Sequence, residues 1–349
     1  MPVRNEERHL AESVRHVLGQ DYPGEIEVVL AVGPSGDRTE ELARELAAAH
    51  PRVTVVANPT GYIPAGLNLG IGAARHQVIA RVDGHALLPP GYLKTAVTAL
   101  TQTGAADVGG VMAAEGVSVF QRAVAWAMTS KAGVGSAAFH TGGGAGPADS
   151  VYLGVYRREA IGQAGGYDEG MLRAEDWDLN YRIRAGGGLI WFTPELRVTY
   201  RPRVGVRTLG SQYFHYGRWR RVIVREHPET ANFRYLAPPV AVALVAVGLA
   251  VGLAGLGGLA VLGSAAPVLP WLTAGLVIPL GYLAGITAVG LTARGVSARV
   301  RARVPLVLGV MHLSWGAGFL TSPRRLHKSD VRVGVREANG EPTVPVGGQ

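Results

Sequence analysis

The chain has 349 residues with a net charge of +8, but only 17% are charged and 48% are hydrophobic. From Tyr235 to Ala293 there is no Asp, Glu, Lys, Arg or His. At about 20 residues per hydrocarbon crossing that run is long enough for two, which argues against a wholly soluble chain. The absence of cysteine excludes a disulfide framework and a thiolate zinc site.

Much of the basic excess flanks the apolar run. Arg218, Arg220, Arg221 and Arg225 precede it, Arg294, Arg299, Arg301 and Arg303 follow it, and Arg324, Arg325 and Lys328 come later. This placement suits the positive-inside rule and anionic headgroups, and no nucleic-acid-binding signature accompanies it. The start, "MPVRNEERHL", is polar and unlike a signal peptide. The expectation is a cytoplasmic domain attached to the cell (inner) membrane, with no nucleic-acid partner.

The first element, "MPV", reads as the tail of a strand. Either that strand is short or it begins upstream of Met1, and the second reading is preferred. "NEERHLAESVRHVL" sets Leu10, Val14, Val17 and Leu18 at helical spacing, with Asn5 as N-cap and Glu6 and Glu7 in the first turn. Strands are predicted over 25–32, 52–58, 77–83 and 106–114, and helices over 38–50, 64–76 and 91–104. Such alternation predicts an α/β fold with a parallel sheet, which binds ligands beyond the carboxyl ends of its strands. "HTGGGAGPADS" is a Gly-rich segment without a P-loop lysine, a mobile lid or a plain surface loop. "VYLGVYRREAI" reads as a strand into a helix, and a further helix starts near Glu175 with Leu179 and Ile183 on its apolar stripe. "LIWFTPELRVTY" is a strand pair or one bent strand, and "SQYFHYGRWRRVIVREHP" is a basic aromatic segment ahead of the apolar run.

The apolar run divides near "GSAAPVLP", giving spans near 237–262 and 271–291. A third apolar stretch, 304–320, either spans or lies at the interface. Crossing would carry Arg324, Arg325 and Lys328 outside, against the positive-inside rule, so the interfacial reading is preferred. The last ten residues read as disordered. The expected organisation is a catalytic domain over 1–228, a membrane region over 229–322 and a basic, then disordered, tail over 323–349.

Asp83 and His85 flank Gly84 at a strand end, where residues i and i+2 point to one side. They read as ligands for a divalent metal on a diphosphate, or as a turn-capping acid beside an exposed histidine. Glu175 and Asp176 begin a helix, where acids suit the dipole and where a catalytic carboxylate would also sit. Gln212, Arg218, Trp219 and Arg220 form either a positive-inside flank or a phosphate grip. "GIGAAR" falls within a helix, so helix packing explains its glycines better than a dinucleotide fingerprint.

Taken in order, these segments resemble family 2 glycosyltransferases of the GT-A fold. "MPVRNEE" is similar to their P-x-x-N-E-E opening, "GPSGDRTEELA" to the loop after their second strand, and "NPTGYIPAGLNLGIGAAR" to their N-x-G-x-x-x-A-x-N-x-G-x-x-x-A segment. "VDGHALLPPGYL" stands in place of D-x-D, and "AEDWDLNYRI" resembles the E-D helix. The resemblance covers about residues 1–225, and is greatest to the bacterial exopolysaccharide (succinoglycan-type) branch with C-terminal membrane helices.

The resemblance implies an inverting, metal-dependent transfer from a nucleotide sugar, with a UDP-sugar favoured, to a polyprenyl-linked saccharide. Transfer to polyprenyl phosphate itself and a non-catalytic scaffold are the alternatives. Pro2, Arg4, Glu6, Asn68, Arg218 and Trp219 would line the nucleotide side, and Asp83 would meet ribose or metal. His85 would take the second position on a manganese or magnesium ion. Asp176 would be the general base, with Glu175 its neighbour. Three features depart from the family pattern. Val32 stands where an aspartate is usual, His85 replaces an aspartate, and five residues separate Gln212 from Arg218 where processive synthases have two. A single-addition enzyme is therefore expected.

Overall fold

The computed structural model describes residues 1–262, 268–324 and 326. Arg325, Lys328 and the tail expected to be disordered lie outside the described residues. In chain order the elements are β1 (Pro2–Val3), α1 (Leu10–Leu18), β2 (Val28–Val32), α2 (Thr39–Ala49), β3 (Val53–Ala57), α3 (Ile63–Ala73), β4 (Val78–Ala80), α4 (Tyr92–Thr103) and β5 (Asp107–Ala114). Then come α5 (Val119–Met128), α6 (Lys131–Val134), α7 (Ala138–Thr141), β6 (Gly146–Pro147), β7 (Tyr152–Arg157), α8 (Arg158–Gln163), α9 (Glu175–Ala185) and β8 (Ile190–Tyr200). The last helices are α10 (Val206–Glu226), α11 (Phe233–Leu262), α12 (Leu269–Thr273), α13 (Val277–Leu291), α14 (Ala298–Arg301) and α15 (Val304–Leu320). They form two compact units: Met1–Ala113 with Ala137–Tyr200, and Ala114–Ser136 with the described residues from Arg201 onward. Compactness thus assigns α10 to the second unit, whereas division by hydropathy sets the boundary at 228.

In the first unit β1, β2 and β3 pair in parallel, with Val28 opposite Val53 and Val32 opposite Ala57. All five residues of β2 are buried, the pattern of a strand covered on both faces. β7 pairs antiparallel with both β4 and β5, so those two run the same way with β7 between them. The segment expected as a strand pair is one strand, β8, and Gly146–Pro147 of the Gly-rich segment pairs with it.

α1 begins at Leu10 and not beside Asn5. Asn5 takes a left-handed φ of 55° and its side chain accepts from Gly36 N in another loop, so it cannot cap α1. The amides of His9 and Leu10 instead turn back onto the Glu6 carbonyl. Leu10, Val14 and Val17 then bury against the sheet core.

The second unit is helical. Three of its stretches, Phe233–Val261, Leu269–Leu291 and Ala298–Leu320, are long and apolar enough to cross a membrane. They differ in how much the protein covers them: 17% and 6% of the first two are buried, against 39% of the third.

Candidate active site

The loops after β1 and β2 are zipped together at the carboxyl ends of their strands. Asn5 N donates to Ser35 Oγ (3.2 Å), Glu6 N to Thr39 Oγ1 (2.7 Å), Glu7 N to Asp37 Oδ2 (3.2 Å) and Gly36 N to Asn5 Oδ1 (2.8 Å). Burial would raise the pKa of Asp37, but donors from the Thr39 hydroxyl and amide and from Glu7 N outweigh it and hold the carboxyl below its ordinary value. Thus "MPVRNEE" and "GPSGDRT", remote in sequence, form one rim.

A third loop joins them. β4 ends at Ala80, and Arg81 N extends its pairing by one bond to Gly154 O before the chain turns at Asp83. α1 fixes that turn: Ser13 Oγ donates to Ala86 O (2.7 Å) and Gln20 Nε2 to Pro89 O (2.9 Å). Gly84 is required here, because a Cβ would fall 2.9 Å from Glu6 Cγ and 3.1 Å from Val3 Cγ1. With Glu6 so close, His85 Nδ1 lies 2.7 Å from Glu6 Oε1.

The centre of the site is a residue not singled out from the sequence, Arg81. Its guanidinium lies 3.3 Å from Asp83 Oδ1 and 3.1 Å from Glu175 Oε1, and also bonds Asp176 Oδ1. Burial opposes its charge, but Asp83 and Glu175 more than compensate and raise its pKa well above the ordinary arginine value. The sequence signal was present: an arginine inside the apolar strand "QVIARVD" must find a charge partner. α9 delivers the two acids from its first turn, entered through Ala174 at a left-handed φ of 62°. The Asp176 side chain is 30% exposed, against 10% for Glu175 and 7% for Arg81. Of the three acids on α9, Glu175, Asp176 and the buried Asp178, Asp176 is the most open.

The other expected residues fall in different places. Arg4 Nε donates to Pro34 O (3.1 Å) on the rim, and Pro2 pairs with Ala31 in the sheet. The Asn68 side chain accepts from Tyr167 N and donates to Tyr167 O, both at 2.9 Å, and so pins the turn before α9. Gln212, Arg218 and Trp219 lie on α10 in the second unit. There Trp219 is buried, Arg218 lies over the Phe214 ring at 5.5 Å, and Gln212 donates to Tyr216 Oη (2.9 Å).

Among the described residues no three acids or histidines gather to hold a metal ion by themselves. The local chemistry nevertheless fits an ion that completes its shell with diphosphate oxygens. With Nδ1 engaged by Glu6, His85 would ligate through Nε2, and a carboxylate on the other ring nitrogen is the usual support of a ligating histidine. Both Arg81 bonds to Asp83 fall on Oδ1, on one edge of that carboxylate.

The profile of "Glycosyl transferase family 2" matches residues 1–165. The succinoglycan biosynthesis protein ExoA of Rhizobium meliloti is 32% identical over 329 residues, covering 91% of this chain and 92% of that protein. Among solved structures, the Pyrobaculum calidifontis mannosyltransferase PcManGT, in complex with GDP-Man and Mn2+, aligns over 91% of this chain and 84% of its own with a TM-score of 0.53 at 18% identity. S. aureus TarS 1–349 in complex with UDP aligns over 92% and 89% with a TM-score of 0.45 at 15% identity. The fold is GT-A-like, and ExoA matches along nearly the whole of both chains. With the sequence profile lying over the loops that build the acid-lined rim, this chain belongs to glycosyltransferase family 2.

Proposed function

We propose that this glycosyltransferase moves a sugar, with inversion, from a nucleotide-sugar donor to a polyprenyl-linked saccharide in exopolysaccharide or cell-envelope glycan synthesis, at the cytoplasmic face of the inner membrane. The observation that carries the chemistry is the convergence of Asp83, Glu175 and Asp176 on buried Arg81, with Asp176 the most open acid of α9. The pathway is supported by the likeness to ExoA, whose name places it in succinoglycan biosynthesis. The cytoplasmic side is supported by the arginines that flank the apolar helices.

In this reading Asp176 takes the proton of the acceptor hydroxyl as that oxygen attacks the anomeric carbon from the side opposite the diphosphate. One displacement inverts the configuration. Arg81 fixes the direction of Asp176. Asp83 and His85 would hold a manganese or magnesium ion, with Glu6 orienting the imidazole. When bound, that ion offsets the charge of the departing diphosphate.

The test is nucleotide release from UDP-, GDP- and dTDP-sugars by membranes containing the protein and lipid extract, with manganese or with EDTA. Release from one donor, lost in EDTA, is expected. Release that bare polyprenyl phosphate supports as well as the saccharide-bearing lipid would replace the acceptor assignment. Turnover undiminished in EDTA would sink the metal role.

A further inference from the structure

We propose that α15 does not cross the membrane but lies along its surface, across the open end of a two-helix hairpin, with one apolar stripe docked on the boundary between headgroups and acyl chains. The inference rests on α11 and the α12–α13 segment being the two crossing helices.

The packing fixes the polarity of that hairpin. Gly248 of α11 meets Ile278 and Pro279, Gly255 meets Leu272, and Gly258 meets Leu269. The closed end therefore lies beyond Gly258, and the open end lies at the start of α11 and the end of α13. Both ends of α15 sit at the open end. Near its start, Pro305 packs on Gly290 at the end of α13. Near its finish, Trp315 stacks on Tyr235 at a centroid distance of 6.4 Å, and Gly316 packs on Pro238 and Val242 in the first part of α11. Just beyond it, Ser322 Oγ donates to Arg218 O (3.0 Å) and Arg225 Nη2 donates to Ser322 O (2.9 Å), close to the connection that leads into α11. Helices of this length extend about 1.5 Å per residue. A crossing α15 would have carried Leu320 toward the closed end, away from Tyr235.

α10 supplies an independent argument. It runs beside α15 so closely that a side chain on Gly217 would strike the Trp315 carbonyl, and one on Gly318 the Phe214 carbonyl. Arg221 stacks over Phe319 at 4.9 Å. α10 carries Arg207, Arg218, Arg220, Arg221 and Arg225, so a crossing α15 would drag five guanidinium groups toward hydrocarbon. At the surface the exposed ones, Arg207 and Arg225, meet anionic headgroups.

The exposed face completes the picture. Leu306 (45% exposed), Leu313 (39%) and Leu320 (52%) recur every seven residues and form one outward stripe. Elsewhere on the helix, protein covers α15: Met311 packs on Gly133, His312 Nε2 lies 2.8 Å from Ala132 O, and Gly309 packs on Ile286. α15 carries no Asp, Glu, Lys or Arg on any face, and with protein over the rest this stripe is the face left for the acyl-chain boundary. The consequence is an even number of crossings.

Because the chain has no cysteine, single cysteines report cleanly. Val204→Cys, Val268→Cys and a cysteine appended to the C-terminus are to be labelled with an impermeant maleimide in intact cells and in inverted vesicles. The expected result is that 204 and the appended cysteine react from one side and 268 from the other. If the appended cysteine shares its side with 268, α15 crosses and the proposal falls. If 204 and 268 share a side, the hairpin does not cross, and the membrane reading beneath the proposal fails with it. A second measurement separates lying from crossing directly: nitroxide labels at 306, 313 and 320 should report one shallow depth. Depth steps of about 10 Å between successive labels would overturn the proposal.

Discussion

Asp176 and Glu175 are adjacent in sequence, yet burial separates their tasks. Glu175 is held inward on Arg81, while Asp176 keeps a solvent-facing edge. Replacing the proposed base should therefore remove chemistry and spare binding: Asp176→Asn is expected to lower kcat by about 10²–10⁴-fold with little change in donor KM. Steady-state kinetics with the identified donor checks this, and near-normal kcat would refute the role of Asp176. Glu6 offers a subtler test. Its carboxylate lies against Gly84 and orients His85, so Glu6→Gln should raise the manganese concentration for half-activation by roughly 10–100-fold while leaving the maximal rate largely intact. A manganese titration of the variant decides it. At this scale the acids were legible because Asp and Glu stood where a strand ends and a helix begins. Arg81 is not legible in the same way, because a charge within a strand shows its meaning only when the elements that face it are known.

The elements themselves were legible where hydrophobic period and turn residues agreed. β2, α2, β3, α3 and α4 lie within a few residues of their expected limits, since each carries its own period. What the sequence could not show was long-range pairing. β7, which falls late in the chain, inserts antiparallel between β4 and β5, and Asn5 leaves its expected helix to serve another loop. The zipped loops carry a pH signature. Asp37 is held below its ordinary value, so the stabilisation it gives is fully present above about pH 4, the range of an unfolded aspartate. It is lost as pH falls through the lower folded value. Asp37→Asn should thus reduce the melting temperature at neutral pH and flatten the acid limb of stability, as thermal unfolding in detergent between pH 3 and 7 would reveal; an unchanged acid limb would refute it. The α10–α15 seam makes a second prediction. Gly318→Val forces a side chain into the Phe214 carbonyl, and overpacking of this kind typically costs about 1–3 kcal/mol. A similar volume added at Gly281, where a Cβ would meet nothing within 4 Å, should be tolerated. Comparing the melting temperatures of the two variants tests the seam.

For the whole molecule the question is where the catalytic part can be cut from the rest. Hydropathy draws the line at 228, but compactness groups α10 with α5 and the apolar helices. α10 packs on α15 through Gly210, Gly217 and Phe214, and Arg221 lies over Phe319. A chain ending at 228 would keep that face of α10 and lose α15 with the other apolar helices. An apolar seam left open on a soluble protein promotes association. Residues 1–228 alone should therefore elute as aggregates, bind a hydrophobic dye strongly and need detergent to stay in solution, even though every carboxylate of the rim is present. Size-exclusion chromatography with light scattering is the measurement. A monodisperse, dye-negative monomer would mean that α10 needs no cover from α15, and that the catalytic part ends where hydropathy alone would end it.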